Sequence, residues 1–148
     1  MIVNKLTLVS LCVFTFATLA VPAATIEIRM KNSGQDGVMT FEPGFVQAQV
    51  GDTVTFIPTD RAHNSSSVLV PAGAKEWKGK MDQKLSVKLE AEGVYLYKCD
   101  PHLPMGMVGL IQVGQAKNRA EAKEKADVLA KGFAMNKERL VKYLGQIK

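Results

Sequence analysis

A short segment near the carboxyl end of the chain concentrates side chains that bind soft metal ions. The segment Cys99-Asp-Pro-His-Leu-Pro-Met-Gly-Met107 contains one thiol, one imidazole and two thioethers. Thiolate combined with imidazole favours copper, and two imidazoles, one thiolate and a weak axial methionine form an electron-transfer site rather than a catalytic one. The segment contains one histidine only, so the second imidazole must come from His63, the other histidine of the sequence.

Each of these residues also has an ordinary structural role when it is considered alone. A single cysteine is most often a small buried residue, and methionines mostly fill gaps in cores. The metal interpretation is favoured because both histidines and Cys99 are needed and all three stand at compatible places. The spacing leaves the fourth ligand open, since both Met105 and Met107 follow His102 closely.

The amino-terminal segment has the three-part pattern of a secretory signal peptide. Lys5 precedes an apolar run from Leu6 to Val21, and small residues follow. We predict a signal peptide at residues 1–23 rather than a membrane anchor, because the run is shorter than the about 20 residues that a spanning helix needs. Cys12 leaves with this segment, so Cys99 is the single thiol of the mature chain and no intramolecular disulfide is expected.

The sequence from residue 25 to residue 113 has the alternation and the turn residues of a β-sandwich. Apolar and polar residues alternate strictly in Leu85–Glu90, as in a strand with one face on a core. Pairs such as Asp36-Gly37 and Gly51-Asp52 mark turns. The Cys99 segment falls between the last two strands. The predicted strands are Thr25–Met30, Val38–Phe41, Phe45–Val50, Thr53–Ile57, Leu85–Glu90, Val94–Lys98 and Met107–Val113.

Beyond this region the composition shifts to Ala, Lys and Glu, and the apolar spacing changes from two to three or four. Two short helices are predicted. The first begins at Asn118, which forms a capping-box pattern with Glu121, and ends near Gly132. Asn136 is expected to cap the second helix. The apolar stripe of this second helix contains Leu140, Leu144 and Ile147.

Length and composition set limits on the possible functions. The chain has 148 residues, of which 47% are hydrophobic and 22% charged, which indicates one folded domain. We divide it into the signal peptide, a sandwich at residues 24–115 and a helical extension at 116–148 that packs on the same domain. A net charge of +5 gives little support to nucleic-acid binding.

The supply of ligands argues against an enzyme. Catalytic copper and zinc centres generally need several imidazoles and an open coordination position, whereas one mononuclear site uses both histidines here. A copper carrier or chaperone stays open as an alternative, because the ligands alone do not distinguish it from an electron carrier. Reversible redox cycling without loss of metal would separate the two.

Several stretches of the mature chain resemble the pseudoazurins, which belong to the cupredoxin family of blue copper proteins. They include the opening Ile26–Asn32, the stretch Gly51–Asp60 that leads to His63-Asn64, and Pro101-His102. The predicted helix pair is also similar, and plastocyanins and amicyanins lack it. The resemblance implies a cupredoxin-like Greek-key β-sandwich with two C-terminal α-helices, an all-β fold in its main part.

The resemblance also implies a site and a function. One type 1 copper ion is expected on His63, Cys99, His102 and Met107, with Asn64 donating a hydrogen bond to the Cys99 sulfur. Pseudoazurins carry single electrons in the bacterial periplasm, commonly to a copper nitrite reductase. A monomer without enzymatic activity is therefore expected, free of the membrane after signal cleavage, with nitrite reductase or a c-type cytochrome as partner. An amicyanin-like or plastocyanin-like carrier with another partner is the alternative within the family.

Two features of the sequence bear on redox potential and on docking. Asp100 stands where a threonine is usual in the family, and a carboxylate beside the thiolate is expected to favour oxidised copper and lower the potential. Leu103 and Pro104 also depart from the family pattern. His102 is expected to reach the surface through an apolar patch, and Arg61, Lys78 and Lys98 are candidates for steering an acidic partner. The patch consists of Met39, Pro58, Leu103, Pro104 and Met105.

Overall fold

The computed structural model describes residues 22–148, which form two β-sheets and two α-helices. The predicted signal peptide and Cys12 lie outside the described residues, apart from the last two positions of that peptide. No helix in the described part is long and apolar enough to cross a membrane. The elements are β1 (Thr25–Gly34), β2 (Gly37–Glu42), β3 (Phe45–Ala48), β4 (Thr53–Pro58), β5 (Ser66–Leu69), β6 (Leu85–Lys88), β7 (Gly93–Lys98), β8 (Val108–Val113), α1 (Arg119–Ala130) and α2 (Arg139–Leu144), with a 3₁₀ turn at Leu103–Met105.

Each sheet has four strands, in the order β2-β1-β4-β6 in the first and β3-β8-β7-β5 in the second. The pairs β1–β4 and β3–β8 are parallel, and the other neighbours are antiparallel. The predicted sandwich with two C-terminal helices is therefore confirmed. All seven predicted strands are present, and the largest difference in their ends is at β1, which continues to Gly34 rather than Met30.

Strand β7 is buried on both faces, and its period of two assigns its residues to two different cores. Tyr95, Tyr97 and then Cys99 belong to the cluster between the two sheets. Val94 and Leu96 belong to a second cluster, in which the second sheet packs against the helices. Alternation along this strand therefore directs the Cys99 thiol into the interior of the sandwich.

One strand, β5, is not among the predicted strands. Its residues Ser66-Ser-Val-Leu69 show no apolar alternation, so no period indicated a strand there. It forms an edge strand beside β7, with an irregular register between Ser67 and Leu69. The omission matters for the site, because β5 begins three residues after His63 and fixes the end of that connection.

Both helices are present, and Asn118 stands at the N-cap position of α1, but neither of the predicted side-chain caps forms. The Asn118 side chain does not cap α1. Instead its Oδ1 accepts a hydrogen bond from the Val94 amide at 2.7 Å, and its Nδ2 donates to the Val94 carbonyl at 3.0 Å. Helix α2 begins only at Arg139, and Asn136 donates to two backbone carbonyls of the sandwich. Both asparagine side chains therefore form hydrogen bonds with backbone groups that are distant in sequence, instead of with the helix ends. Leu140, Leu144 and Ile147 pack on the second cluster, but α2 ends at Leu144, so Ile147 lies beyond the helix to which it was predicted to belong.

The Asn118 cross-link leads to the first prediction. Replacement by Ala leaves both polar groups of the Val94 backbone without partners, so we expect Asn118→Ala to lower the free energy of unfolding by about 1 to 3 kcal/mol. Asn118→Ser, which restores a capping hydroxyl but not the two-sided contact, is expected to remain almost as unstable. Urea denaturation of the metal-free protein measures both, with the exposed Gln115→Ala as control. Full rescue by Ser would show that Asn118 acts as a helix cap.

Candidate metal centre

His63 lies in the connection between β4 and β5, and its backbone is held from both sides by Asp82. The His63 amide donates to Asp82 Oδ1 at 3.2 Å, and the Asp82 amide donates to the His63 carbonyl at 2.8 Å. The imidazole is fully buried. The ring therefore projects from a fixed main chain into the end of the sandwich.

A hydrogen bond from β1 selects which nitrogen of His63 is free. Its Nε2 lies 2.9 Å from the amide oxygen of Asn32, an acceptor, so Nε2 carries the proton. Nδ1 then keeps its lone pair, as a metal-binding imidazole requires. The sequence analysis did not assign a role to Asn32, because no spacing rule connects residues 31 positions apart on different elements.

The second ligand segment, Cys99–Met107, is a closed loop, here called the ligand loop. The Cys99 amide donates to the Met107 carbonyl at 2.9 Å, which joins its two ends. Inside it, the amides of Met105 and Met107 both donate to the His102 carbonyl, at 3.0 and 3.2 Å. Gly106 allows this tight path because its φ is 70°, a left-handed conformation.

The two segments bring three potential ligand atoms together at the end of the sandwich. His63 Nδ1 and His102 Nδ1 are 3.1 Å apart, and Cys99 Sγ lies 3.7 Å from the first and 3.5 Å from the second. Metal–nitrogen bonds are about 2.0 Å long and metal–sulfur bonds about 2.3 Å. In a trigonal site with two nitrogens and one sulfur, these bond lengths place the ligand atoms about 3.5 to 3.8 Å from one another. The triangle is close to this size, so the residues fit a trigonal metal site.

The two candidate methionines have different surroundings. Met107 is completely buried and belongs to the same core cluster as Cys99. Met105 is partly exposed and lies in the 3₁₀ turn on the outer part of the ligand loop. Burial beside the thiol favours Met107 over Met105 as the axial residue, the choice that the spacing alone had left open.

Burial adjusts the protonation of the ligands. It raises the pKa of the Cys99 thiol, and the backbone amides of Asn64 and His102 only partly oppose this. It lowers the pKa of His63, helped by the neighbouring His102. The metal-free site therefore holds a thiol and a neutral imidazole near neutral pH. A cation must displace the thiol proton on binding, so metal affinity should rise with pH.

The side chain of Asn64 links the two ligand segments. Its Oδ1 accepts from the Asp100 amide and its Nδ2 donates to the Asp100 carboxylate, both at 2.8 Å, and Nδ2 also donates to the Gly79 carbonyl at 3.1 Å. The hydrogen bond expected from Asn64 to sulfur therefore cannot come from this amide group. The backbone amide of Asn64 is the group that acts on the Cys99 thiol.

The partly exposed Asp100 accepts hydrogen bonds from β5, from β7 and from the connection between β4 and β5. Its carboxylate accepts from Asn64 Nδ2, from Ser66 Oγ at 2.9 Å and from Lys98 Nζ at 3.0 Å. Partial burial by itself raises its pKa, but the bonds from Asn64, Lys98 and Ser66 outweigh burial and lower the pKa to about 2. Because Lys98 offsets the carboxylate charge, we expect Asp100 to lower the redox potential less than an unpaired carboxylate would.

Comparisons with known proteins agree with the geometry. The family model for copper binding proteins of the plastocyanin/azurin family matches residues 28–114. A pseudoazurin from Paracoccus pantotrophus is 40% identical over 127 residues, which cover 84% of this chain and 85% of that protein.

Two crystal structures are similar over nearly their whole length. Native pseudoazurin from Hyphomicrobium denitrificans gives a TM-score of 0.74 at 36% identity, covering 84% of this chain and 98% of that one. Pseudoazurin from Methylobacterium extorquens AM1 gives 0.71 at 34% identity, covering 84% and 99%. These similarities extend beyond the sandwich that the family model matches.

The environment of Asp100 predicts a specific acid sensitivity. Its pKa is lower in the folded chain than its ordinary value of 3.8, so it stabilises the fold above pH 4 and this contribution is lost as the pH falls to about 2. We expect the stability difference between wild type and Asp100→Asn, in metal-free protein, to shrink by about 1 to 2 kcal/mol across that range. Denaturation at several pH values tests this, with Asp127→Asn in the exposed Lys123 ion pair as control. A difference independent of pH would contradict it.

Proposed function

The chain belongs to the pseudoazurins, within the plastocyanin/azurin family of copper-binding electron carriers, and on this premise we propose its ligands, its location and its partners. The copper ligands are His63, Cys99, His102 and Met107. The observation that carries this assignment is the triangle of two Nδ1 atoms and one Sγ atom, with sides of 3.1 to 3.7 Å. The buried Met107, in the same core cluster as Cys99, would supply the fourth and weaker ligand.

Bound copper would supply a one-electron couple, and the contacts of the surrounding residues would hold its ligands in one arrangement in both oxidation states. Asn32 fixes the His63 ring, Asp82 fixes the His63 backbone, and the Cys99–Met107 backbone bond closes the ligand loop. None of these contacts depends on a substrate. The chain is therefore proposed to be an electron carrier and not an enzyme, since both histidines serve the metal.

Electrons enter and leave at His102. Of the proposed ligands, His63, Cys99 and Met107 are fully buried, and His102 alone is partly exposed. The ligand loop continues from His102 into Leu103 and the exposed Pro104, and the other members of the predicted patch, Met39, Pro58 and Met105, are each partly exposed. This edge is suited to a brief apolar contact with a redox partner.

The partner is proposed to be an acidic redox protein, either a copper nitrite reductase or a c-type cytochrome, met by a monomer in the periplasm. The signal-peptide pattern supports the location, and the positive net charge supports the acidic surface. Of the predicted steering residues, Lys98 is partly buried and paired with Asp100, whereas Arg61 and Lys78 are exposed. Steering is therefore assigned mainly to these two.

A copper chaperone remains the second candidate function, but the burial of the ligands favours retention of the metal. Handing a metal to another protein requires an acceptor to reach the ligand atoms. Cys99 and His63 are completely enclosed, which leaves only the His102 edge open. Repeated oxidation and reduction without metal loss is the behaviour expected of the carrier.

Copper titration of the mature protein tests the assignment. One copper(II) ion should bind per chain and produce an intense thiolate-to-copper charge-transfer band, because Cys99 is the only thiol among the described residues. Cys99→Ser should abolish the band while the fold, followed by circular dichroism, persists. A colourless wild-type complex, or a Cys99→Ser variant that keeps its colour, would refute the proposal.

The axial ligand has a separate test with a matched control. Met107→Gln replaces a buried thioether with a harder donor and should change the visible spectrum and lower the reduction potential strongly. Met105→Gln, two positions away in the 3₁₀ turn, should change both very little. Visible spectroscopy and voltammetry of the two variants measure these changes. If Met105→Gln has the large effect and Met107→Gln the small one, Met105 is the ligand and Met107 is not.

A further inference from the structure

The C-terminal extension holds the ligand loop by its main chain. Three consecutive carbonyls of the loop accept hydrogen bonds from the segment that joins α1 to α2 and from the first residue of α2. The pairs are Pro104 O with the Ala134 amide at 2.7 Å, Met105 O with Asn136 Nδ2 at 2.8 Å, and Gly106 O with Arg139 Nη1 at 2.6 Å. The extension therefore does more than cover the outer face of the second sheet.

Arg139 is the most unusual member of this set, because its guanidinium is buried, with 4% of the residue exposed. Nη1 donates to the carbonyls of Gly106 and Met39, both at 2.6 Å, and Nη2 donates to those of Asp36 and Val38 at 2.8 and 3.0 Å. Within residues 22–148 it forms no salt bridge; the Asp36 carboxylate instead binds Tyr143 and Lys142. One side chain thus joins the β1–β2 turn and the beginning of β2 to the ligand loop.

Burial of this charge is costly, which argues for a role beyond packing. Removing a charged group from water costs several kcal/mol, and hydrogen bonds to four backbone carbonyls offset that cost here. The carbonyls that Arg139 holds include those of Met39 and Gly106, whose φ angles of 48° and 70° are both left-handed. A non-glycine residue in that region costs about 1 to 3 kcal/mol and persists only where surrounding contacts hold it.

The contact reaches the metal centre through a single peptide group. The peptide between Gly106 and Met107 is held at its oxygen by Arg139 and at its nitrogen by the His102 carbonyl, 3.2 Å away. The Met107 carbonyl accepts in turn from the Cys99 amide. The backbone of Met107 is therefore fixed on both sides, and Arg139 is the group from outside the loop that hydrogen-bonds to this peptide.

We propose that Arg139 is a positioning residue of the copper centre, which sets the place of the Met107 thioether and keeps the ligand loop in one conformation in both oxidation states. This inference rests on the ligand assignment proposed above. It gives the helical extension a part in electron transfer, since a loop that is free to move would have to rearrange with each change of oxidation state.

The test compares Arg139→Met with Arg139→Lys. Methionine keeps the apolar packing and removes all four hydrogen bonds. We expect one copper still to bind, but with an altered charge-transfer spectrum, a shifted potential and electron self-exchange slowed about tenfold, which corresponds to about 1.4 kcal/mol of activation free energy. Lysine keeps the charge but not the planar fork of donors, so an intermediate spectrum and rate are expected.

Two further variants separate geometry from charge and from folding. Lys142→Met removes an exposed positive charge from the same helix without touching the ligand loop, and should leave spectrum, potential and rate unchanged. Asn136→Gly suits the φ of 52° at that position and removes only the side-chain bonds to Met105 and Val38. It should change the same quantities in the same direction as Arg139→Met, by a smaller amount, and it decides the matter if Arg139→Met does not fold.

The outcomes distinguish this inference from the proposed function. If Arg139→Met or Asn136→Gly lowers the free energy of unfolding while spectrum, potential and self-exchange stay as in the wild type, Arg139 is only structural and the inference is wrong. If the wild type gives no charge-transfer band, or Met107→Gln leaves the spectrum unchanged, the ligand assignment itself fails and the inference fails with it.

Discussion

The structure depends on one constraint, which is that Cys99 must leave β7 on the inner face of the sandwich. A strand alternates strictly, so this direction is set by Tyr95 and Tyr97, which pack between the sheets in the same row. Val94 and Leu96 point to the opposite face of β7, and without the helices this face would be exposed to water. The helical extension covers that face, so the second sheet is buried on both faces and the strand before the thiol is held from both sides.

From that point the site is assembled by contacts between segments rather than within them. His63 is far from Cys99 in the chain, and the Asn64–Asp100 pair of hydrogen bonds brings the two ligand segments into register. Asn32 of β1 then orients the ring of His63. Each contact gives a hydrogen-bond partner to a polar group that would otherwise be buried without one. The arrangement that forms the site is therefore the same one that satisfies the buried polar groups.

Residue supply was enough to name the proposed ligands, whereas the residues that support them gave no signal in the sequence. Cys99, His102 and the two methionines stand in one loop, and the scarcity of histidine pointed to His63, so residue supply alone limited the choices. Strand β5 was missed because its serines face polar partners and carry no apolar period. Asn118 and Asn136 were taken as helix caps because capping is a local rule, whereas their real partners, on β7 and on the ligand loop, are distant in sequence. Arg139 gave no signal, since an arginine at a helix start normally faces water.

The hydrogen bonds from the helical extension also explain why unusual residues in the ligand loop do not disturb its backbone. Its bonds go to the carbonyls of residues 104–106, groups that every amino acid possesses. Leu103 and Pro104 can therefore depart from the family pattern without altering the path of the backbone between His102 and Met107. Side chains at the exposed edge can therefore differ, while the main chain of the ligand loop keeps the same path. Variation of the exposed side chains is thus kept apart from the path of the backbone that carries Cys99, His102 and Met107.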